Sequence, residues 1–545
     1  MNAVREQVQA WIEADPDPAT RAELQALVDV GDEAELADRF VAPLQFGTAG
    51  LRGPVRAGPN GMNVAVVVRT SAGVASWLRS RGFAGGVVVV GRDGRHGSAA
   101  FCSATAEVLL AAGFDVRVLP RPLPTPLVAY AVRALDAVAG VQITASHNPS
   151  TDNGYKLYLS GGAQLVAPDD AGIEAAIAAV GGATDVPRSP DHPTAGEELV
   201  EAYLDRVAGL PRGSARELRI ALTPLHGVGR DTAVAALTRA GFTDVHVVAS
   251  QAEPDPEFPT VPFPNPEEPG AADALLALAA EVDADLAVAL DPDADRCALG
   301  VRGPDGWWML RGDATGVLLG GHVLDHTEEP DPLVATTIVS SQLLAAVATA
   351  RGVRHAETLT GFKWLVRSGE GLVYAYEEAI GHCVDPEVVR DKDGISAAVV
   401  AADLAATLKA NGRTLLDVLD DLALAHGLHA GDLVSLRVTE LGELTDMMAA
   451  LRANLPAELD GTPVTAQDLR PRTDAVVLSG SGTSGDGVRV VVRPSGTEPK
   501  LKCYLEVVAP VGSRAELPAA REMAARRLTR VGEQVRAALG GDWPR

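Results

Sequence analysis

The feature that most limits the fold of this chain is a repeated order of short apolar strands and helical stretches. In the first repeat, a strand is predicted at 87–90, a helix at 98–112 and a buried strand at 137–143. The same order recurs after residue 218 and again after residue 311. Alternation of this kind is typical of a mainly parallel α/β layer. The sequence therefore predicts three consecutive α/β domains.

The C-terminal part of the chain has a different pattern. Strand-like runs at 433–438, 474–478, 487–492 and 501–508 precede an amphipathic helix from about 514 to 539. Strands in succession, closed by one helix, predict an α+β domain with an antiparallel sheet.

The N-terminal part is predicted to be helical. Residues up to about 40 have the pattern of two amphipathic helices, the second begun by a capping box formed by Thr20 and Glu23. A chain of 545 residues with 47% hydrophobic residues is too long for a single core. We therefore expect several domains, with the N-terminal helices packed on the first.

Charge limits the partners. The formal net charge of -25 argues against nucleic acid, because binding along a phosphate backbone needs a basic surface. The chain has neither an apolar run of about twenty residues for a membrane span nor an apolar core segment near its start for a secretory signal. Its four cysteines are scattered. We expect a reduced, soluble, cytoplasmic protein without nucleic-acid or membrane partners.

The first candidate for chemistry is the sequence Thr-Ala-Ser-His-Asn-Pro at 144–149. Ser146 falls just beyond the carboxyl end of the strand predicted at 137–143, which is where open α/β sheets bind their ligands. With His147 beside it and Lys156 ten positions on, Ser146 is a candidate nucleophile or phosphate carrier. The other interpretation is a polar turn in which Ser and Asn side chains satisfy the backbone.

The second candidate is Asp-Pro-Asp-Ala-Asp-Arg at 291–296, directly after a buried apolar run. Three carboxylates at alternate positions on a tight loop can direct oxygen ligands to a hard cation such as Mg²⁺. An EF-hand is excluded, because Arg296 and Arg302 stand where that loop needs Gly and Glu. A haloacid-dehalogenase-like aspartyl nucleophile also fits poorly, since Ala-Asp-Arg follows the second aspartate. A solvated acidic turn is the remaining alternative.

Three further candidates carry suitable side chains, and the loops of Lys363 and Glu377 are counted together as the first. Lys363 lies in Thr-Gly-Phe-Lys-Trp, and Glu377 begins Glu-Glu-Ala-Ile-Gly-His after a β-like run, where carboxylates can bind sugar hydroxyls. Arg493 begins Arg-Pro-Ser-Gly-Thr, in which arginine and glycine can bind phosphate. A glycine-rich loop at 45–53 presents Arg52. Each of these loops also has an ordinary interpretation as a turn or an exposed charge.

In their order, these five loops resemble the α-D-phosphohexomutase superfamily over nearly the full chain. The sequences at 144–156, 361–364, 377–381 and 391–394 look closest to the branch that contains phosphoglucomutase and phosphopentomutase. The resemblance implies four domains around a central cleft: three α/β/α domains with mixed sheets and a C-terminal α+β domain. We place their boundaries at 1–200, 201–310, 311–428 and 429–545.

The resemblance also implies roles for the candidate residues. Ser146 carries a phosphoryl group, whose charge of about -1.5 to -2 needs neutralising by metal and cations. Lys156 is the first choice for proton transfer. The implied sites are catalytic at Ser146, His147, Lys156 and Arg52; substrate-binding at Arg296, Lys363, Glu377, Ala379, Arg493, Ser495, Gly496 and Thr497; and Mg²⁺-binding at Ser146, Asp291, Asp293 and Asp295.

The implied reaction is an intramolecular phosphotransfer. A phosphohexomutase interconverts hexose 1-phosphate and hexose 6-phosphate, with glucose as first choice and mannose as second, and needs a sugar 1,6-bisphosphate as activator. Ala379 stands where many hexomutases have serine, so a phosphopentomutase or a glucose 1,6-bisphosphate synthase is the alternative. A serine phosphatase and a silent sugar-phosphate-binding module are alternatives from other classes. We expect small sugar phosphates as partners of a monomer or small homo-oligomer.

Overall fold

The computed structural model describes residues 2–47, 50–438, 441–482, 485–495 and 499–540. The chain forms two compact units. The first contains the chain up to Thr315 together with Leu372–Gly412, and the second contains Gly316–Gly371 and the chain from Arg413 onward. The chain therefore passes from one unit to the other at three points. The four domain boundaries given above remain a prediction.

Three helices, not the predicted two, open the first unit: α1 (Asn2–Ala14), α2 (Pro18–Val30) and α3 (Glu33–Arg39). The predicted capping box is wrong. Helix α2 is capped by Asp17, whose side chain accepts from the backbone of Ala19, and Pro18 provides a preset first helical residue. The three helices share a small apolar core around Leu24 and Leu36.

The first sheet has five strands in the order β1-β5-β4-β2-β3. Strands β2, β3 and β4 are parallel, whereas β5 pairs antiparallel with both β4 and β1, so the sheet is mixed. Every residue of β4 is buried, which matches its continuous apolar sequence. The elements of this region are β1 (Leu51–Pro54), α4 (Val64–Ser80), β2 (Val87–Arg92), α5 (Ser98–Ala111), β3 (Asp115–Val118), α6 (Thr125–Ala134), β4 (Ala139–Ile143), β5 (Asp152–Leu159), α7 (Asp169–Ala178) and α8 (Glu198–Ala208).

The second sheet also has five strands, in the order β10-β9-β8-β6-β7. Parallel pairing joins β6 to β7 and β8, and antiparallel pairing joins β8 to β9 and β9 to β10. Strand β8 is completely buried. The elements are β6 (Arg219–Thr223), α9 (Arg230–Arg239), β7 (Asp244–Val247), α10 (Asp273–Glu281), β8 (Leu286–Leu290), β9 (Cys297–Gly303) and β10 (Gly306–Met309).

The following region contributes to both units. A parallel pair of strands, β11 and β12, belongs to the second unit, and an antiparallel pair, β13 and β14, belongs to the first. The elements are α11 (Gly312–His326), β11 (Leu333–Thr337), α12 (Leu343–Ala350), β12 (Arg354–Thr358), α13 (Phe362–Leu365), β13 (Leu372–Glu377), β14 (Gly381–Cys383), α14 (Gly394–Ala410) and α15 (Leu415–His426).

The C-terminal region confirms the predicted α+β class. Its main sheet is antiparallel, in the order β15-β21-β20-β19-β18, and α17 packs its apolar residues Val531 and Val535 into the core of this sheet. No helix in the described ranges is long and apolar enough to cross a membrane. The elements are β15 (Leu428–Arg437), α16 (Leu441–Ala453), β16 (Glu458–Leu459), β17 (Thr462–Pro463), β18 (Thr465–Asp468), β19 (Val476–Ser481), β20 (Gly487–Pro494), β21 (Lys500–Ala509) and α17 (Leu517–Ala538).

Candidate active site

Ser146 lies in the loop that joins β4 to β5, residues 144–151, which we call the serine loop. The residue is buried and has a φ of 53°, in the left-handed region that serine rarely adopts. Its N–H donates to Thr144 Oγ1 at 2.9 Å, and its Oγ donates to Asp291 Oδ2 at 2.8 Å. The serine loop of the first sheet therefore directs its hydroxyl at the acidic loop of the second.

That acidic loop, residues 291–295, follows β8, and we call it the carboxylate loop. Ala294 turns it with a φ of 51°, so Asp291, Asp293 and Asp295 converge. Their ligand oxygens lie within 4.8 Å of one another, and all three residues are buried. Oδ1 of Asp293 and Oδ1 of Asp295 accept no hydrogen bond from any described residue. Buried unpartnered carboxylate oxygens that converge fit a hard divalent cation.

Two buried lysines face the carboxylate loop. Lys156, on β5, places Nζ 2.6 Å from Asp293 Oδ2 and 2.8 Å from Asp295 Oδ2. Lys392 places Nζ 3.3 Å from the same oxygen of Asp295. Burial disfavours both ammonium groups, but the carboxylates outweigh it and raise the pKa of each lysine. Both lysines are therefore positively charged. They lie in the same carboxylate loop cluster as Asp291, which accepts the hydrogen bond from the Ser146 hydroxyl.

Two more predicted residues belong to the serine loop or contact it. His147 Nδ1 is 3.2 Å from Ser146 Oγ, and burial, reinforced by Arg296 and Arg52, lowers the pKa of this histidine well below its ordinary value. Arg52, on β1, donates to Asn148 Oδ1 at 3.3 Å. The side chains of Arg52, Lys156 and Lys392 concentrate positive charge at the serine and carboxylate loops of an acidic protein.

The predicted sugar loop joins β13 to β14 in the same unit. Glu377 ends β13, and Gly381, which starts β14, forms a β-bridge with Arg296. The negative charge of Glu377 is a main reason that the pKa of Arg296 is raised against the effect of burial. Burial and the adjacent Glu377 raise the pKa of Glu378 to about 8. Ala379 lies half-buried in the turn.

The remaining predicted residues belong to the second unit. Lys363 lies on α13, is 9% exposed and places Nζ 5.6 Å from the centre of the Trp364 ring. Arg493 lies near the end of β20, directly opposite Lys502 on β21. The N–H of Ser495 donates to the carbonyl of Lys500 at 2.8 Å. Gly496 and Thr497 lie outside the described residues, as do Thr48 and Ala49 of the glycine-rich loop.

Two residues near the carboxylates received no role from the sequence. Thr125, the first residue of α6, donates its hydroxyl to Asp293 Oδ2 and its N–H to the carbonyl of the same residue. Lys392 lies in the Asp-Lys-Asp-Gly sequence at 391–394, which marked the resemblance but carried no assigned chemistry. The sequence signal that could have identified this residue is a lysine flanked by two aspartates.

Comparison with known proteins agrees with this architecture. Four family models match in order: the phosphoglucomutase/phosphomannomutase alpha/beta/alpha domains I, II and III at residues 43–182, 201–304 and 311–424, and the C-terminal domain of the same family at 433–521. Together they match more than half of the chain.

Individual relatives and a solved structure extend this result. A Haemophilus influenzae protein named "Probable phosphomannomutase" is 42% identical over 452 residues, covering 82% of this chain and 93% of that protein. A mouse phosphopentomutase is 32% identical over 563 residues, covering 92% and 90%. The crystal structure of a phosphoglucomutase/phosphomannomutase family protein from Burkholderia thailandensis has a TM-score of 0.70 at 22% identity, covering 92% and 99%, and shares the fold.

These matches define the class of the protein as an isomerase of the mutase type, which acts by phosphotransfer. The chain belongs to the phosphoglucomutase/phosphomannomutase family of the α-D-phosphohexomutase superfamily.

Proposed function

We propose that the enzyme interconverts hexose 1-phosphate and hexose 6-phosphate, glucose before mannose, through a phosphoserine at Ser146 and a bisphosphorylated sugar. The observation that carries this proposal is the 2.8 Å hydrogen bond from Ser146 Oγ to Asp291, within the cluster of buried carboxylates and lysines. A hydroxyl held by a proton acceptor and surrounded by cations is suited to receiving a phosphoryl group.

Each group around Ser146 has a part in phosphoryl transfer. Mg²⁺, held by Ser146 Oγ and the three aspartates of the carboxylate loop, would neutralise charge on the transferring phosphoryl group. Arg52 and Arg296 bind the phosphoryl oxygens as charged donors. Lys156 is the first candidate to move a proton to or from the sugar hydroxyl, because its Nζ already lies in the carboxylate cluster.

The second phosphate of the intermediate needs a site of its own, and the end of the C-terminal sheet offers one. Arg493 and Lys502 form a directly opposed cross-strand pair, and Lys500 is opposite Arg437 in the neighbouring ladder. Like charges in such positions repel each other, so binding of a dianion between them would be favourable. We assign the distal phosphate to this strand end, with Ser495, Gly496 and Thr497 as further donors.

The two phosphate sites account for the isomerisation. Phospho-Ser146 transfers its group to the free hydroxyl of the bound monophosphate, and a sugar bisphosphate forms. The bisphosphate then turns end for end, and the other phosphate returns to Ser146. A sugar 1,6-bisphosphate is needed as activator, since it rephosphorylates any enzyme that has lost its phosphate.

Glu377 and Lys363, which belong to different units, are each proposed as a residue that binds the sugar. The family's frequent serine is replaced by Ala379, which removes one hydroxyl contact, and the mouse relative is a phosphopentomutase. A pentose phosphate is therefore the alternative to the two hexose phosphates. The deciding measurement is kcat/KM for glucose 1-phosphate, mannose 1-phosphate and ribose 1-phosphate with Mg²⁺ and the matching bisphosphate. Preference for ribose 1-phosphate would replace the hexose assignment.

The serine itself is tested by Ser146→Ala, with Ser80→Ala, at the end of α4, as the control. We expect Ser146→Ala to fold normally and to lose nearly all isomerisation, and Ser80→Ala to keep it. Most activity remaining in Ser146→Ala would contradict the phosphoserine. Release of inorganic phosphate without isomerisation by the unmodified enzyme would instead indicate a phosphatase.

A further inference from the structure

Arg95, in the loop after β2, forms hydrogen bonds with the main chain of the serine loop. Its side chain is 1% exposed, and its two terminal nitrogens donate to four backbone carbonyls within the stretch from the reactive serine to the start of β5. The acceptors are the carbonyl oxygens of Ser146 at 2.6 Å, Asn148 at 2.6 Å, Pro149 at 2.7 Å and Asp152 at 3.1 Å. A planar guanidinium can bridge several acceptors in this way, whereas a lysine nitrogen cannot.

Arg95 is itself fixed from two sides. Asp93 Oδ1 accepts from the N–H of Arg95 at 3.0 Å and from Ser98 Oγ at 2.6 Å, and Asp93 Oδ2 lies 3.5 Å from Arg95 Nε. On the other side, the guanidinium carbon lies 4.8 Å from the centre of the buried Phe258 ring. A cation above an aromatic face is attracted to it, most strongly when both are away from water.

Phe258 comes from the Pro-rich segment at 253–269, for which the sequence suggested no role. The segment is held near the loop that carries Arg95, since His96 Nε2 lies 2.5 Å from Glu257 Oε1. A Cβ at Gly94 would lie 3.1 Å from the Pro254 side chain. The second sheet's connection therefore packs directly behind the guanidinium.

Two residues bind different atoms of Ser146. Its carbonyl is bound by Arg95, while its Oγ is bound by Asp291. The left-handed backbone of a non-glycine residue is unfavourable and persists only where its surroundings hold it in place. The four hydrogen bonds from the rigid, charged guanidinium of Arg95 hold the backbone in this conformation. They also leave the seryl oxygen directed at the carboxylate loop.

We infer that Arg95 is a positioning residue that holds the serine loop in its reactive conformation, with Phe258 as its support. Arg95 touches the backbone of the loop and acts on the reaction through Ser146. The inference rests on the proposed role of Ser146 as phosphoryl carrier. It also gives the Pro-rich segment a function in catalysis.

The matched test compares Arg95→Lys with Arg216→Lys. Arg216 has the same kinds of contact elsewhere in the first unit: it donates to three backbone carbonyls, lies 3.5 Å from Asp403, and its guanidinium carbon is 5.1 Å from the Phe242 ring centre. Both substitutions keep the positive charge and remove the planar guanidinium with its two terminal nitrogens. Because Arg216 is more exposed than Arg95, 32% against 1%, the two variants are compared by kcat of folded enzyme and not by stability.

We measure kcat and KM for glucose 1-phosphate per phosphorylated enzyme, with the phosphorylated fraction determined by mass spectrometry after incubation with glucose 1,6-bisphosphate and Mg²⁺. For Arg95→Lys we expect kcat to fall by about 100-fold, because a misplaced reacting atom has an effect of that order, with KM within about threefold of wild type. For Arg216→Lys we expect kcat within about twofold of wild type, since no site residue is among its partners. Equal kcat in the two variants would overturn the inference.

A second variant keeps the test decisive if Arg95→Lys does not fold. Phe258→Leu keeps an apolar side chain and removes only the ring behind the guanidinium, and we expect kcat to fall by about three- to tenfold at unchanged KM. Unchanged kcat in Phe258→Leu, or a loss that appears only in KM, would contradict the role of Phe258. Ser146→Ala separates the two levels: activity retained in that variant refutes the proposed function, whereas activity lost there but normal in Arg95→Lys refutes only this inference.

Discussion

Replacing Lys156 by methionine removes one positive charge from the centre of the carboxylate cluster. Lys156 Nζ lies 2.6 Å from Asp293 and 2.8 Å from Asp295, and none of these side chains is more than 4% exposed. Lys392 stays 3.3 Å from Asp295, so the uncompensated charge falls mainly on Asp293. Breaking a buried pair by removing one partner costs about 3–5 kcal/mol. We expect Lys156→Met to lose about that much unfolding free energy when no divalent cation is present.

The assay is urea unfolding, followed by circular dichroism, first in EDTA and then in excess Mg²⁺. A divalent cation on the carboxylate loop would restore positive charge, so Mg²⁺ should raise the unfolding free energy of Lys156→Met more than that of wild type. Lys409→Met is the control. Lys409 pairs with Asp285 at the surface, with side chains 49% and 25% exposed, and such pairs contribute about 0–1 kcal/mol.

Two results would refute this reasoning. A loss below about 1 kcal/mol in EDTA, equal to that of Lys409→Met, would mean that the lysine does not compensate the buried carboxylates. A gain from Mg²⁺ no larger in Lys156→Met than in wild type would mean that the cation does not bind at these carboxylates.

Three further perturbations have defined outcomes. Thr125→Val removes the hydroxyl that orients Asp293 in the proposed Mg²⁺ site, and we expect about 10–100-fold weaker Mg²⁺ binding by titration calorimetry, with Thr349→Val unchanged. Arg493→Ala should raise KM for glucose 1-phosphate about tenfold or more through loss of a charged hydrogen bond, whereas Arg526→Ala on α17 should not; equal KM values would contradict the distal site. Burial raises the pKa of Asp393 from about 3.8 to about 6, so the folded state binds this proton more tightly than the unfolded chain does. Stability should therefore fall by about 3 kcal/mol as pH rises from 3 to 7, a dependence that Asp393→Asn should remove in urea unfolding.

The sequence predicted the reactive loops well because each follows a buried strand. Strand β8 was predicted at 286–290 and is found there, and β4 was predicted within two residues of its observed start. A completely apolar run can be recognised locally, and the residue after it necessarily lies at the edge of the sheet. The positions of Ser146 and Asp291 could be inferred for this reason.

The contacts that complete the site could not be inferred in the same way. Arg95 reaches Ser146 across 51 positions of sequence, and Lys392 reaches Asp295 from a different region of the fold. No local periodicity encodes such pairs. The wrong helix start shows a related limit: Thr20 and Glu23 form an acceptable capping pattern, but Asp17 before Pro18 is a better start, and Thr20 instead donates to Asp15.

The division of the first unit into two chain segments has a consequence for synthesis on the ribosome. Lys392 and the N–H of Gly394, which donates to the carbonyl of Ala294, come from the later segment. About a hundred residues separate them from the carboxylate loop, so at about 5–20 residues per second the nascent chain waits about 5–20 s for these partners. During that interval the three aspartates lack one of their compensating charges. Slow translation between residues 315 and 372 would therefore prolong the interval in which the carboxylate loop lacks Lys392.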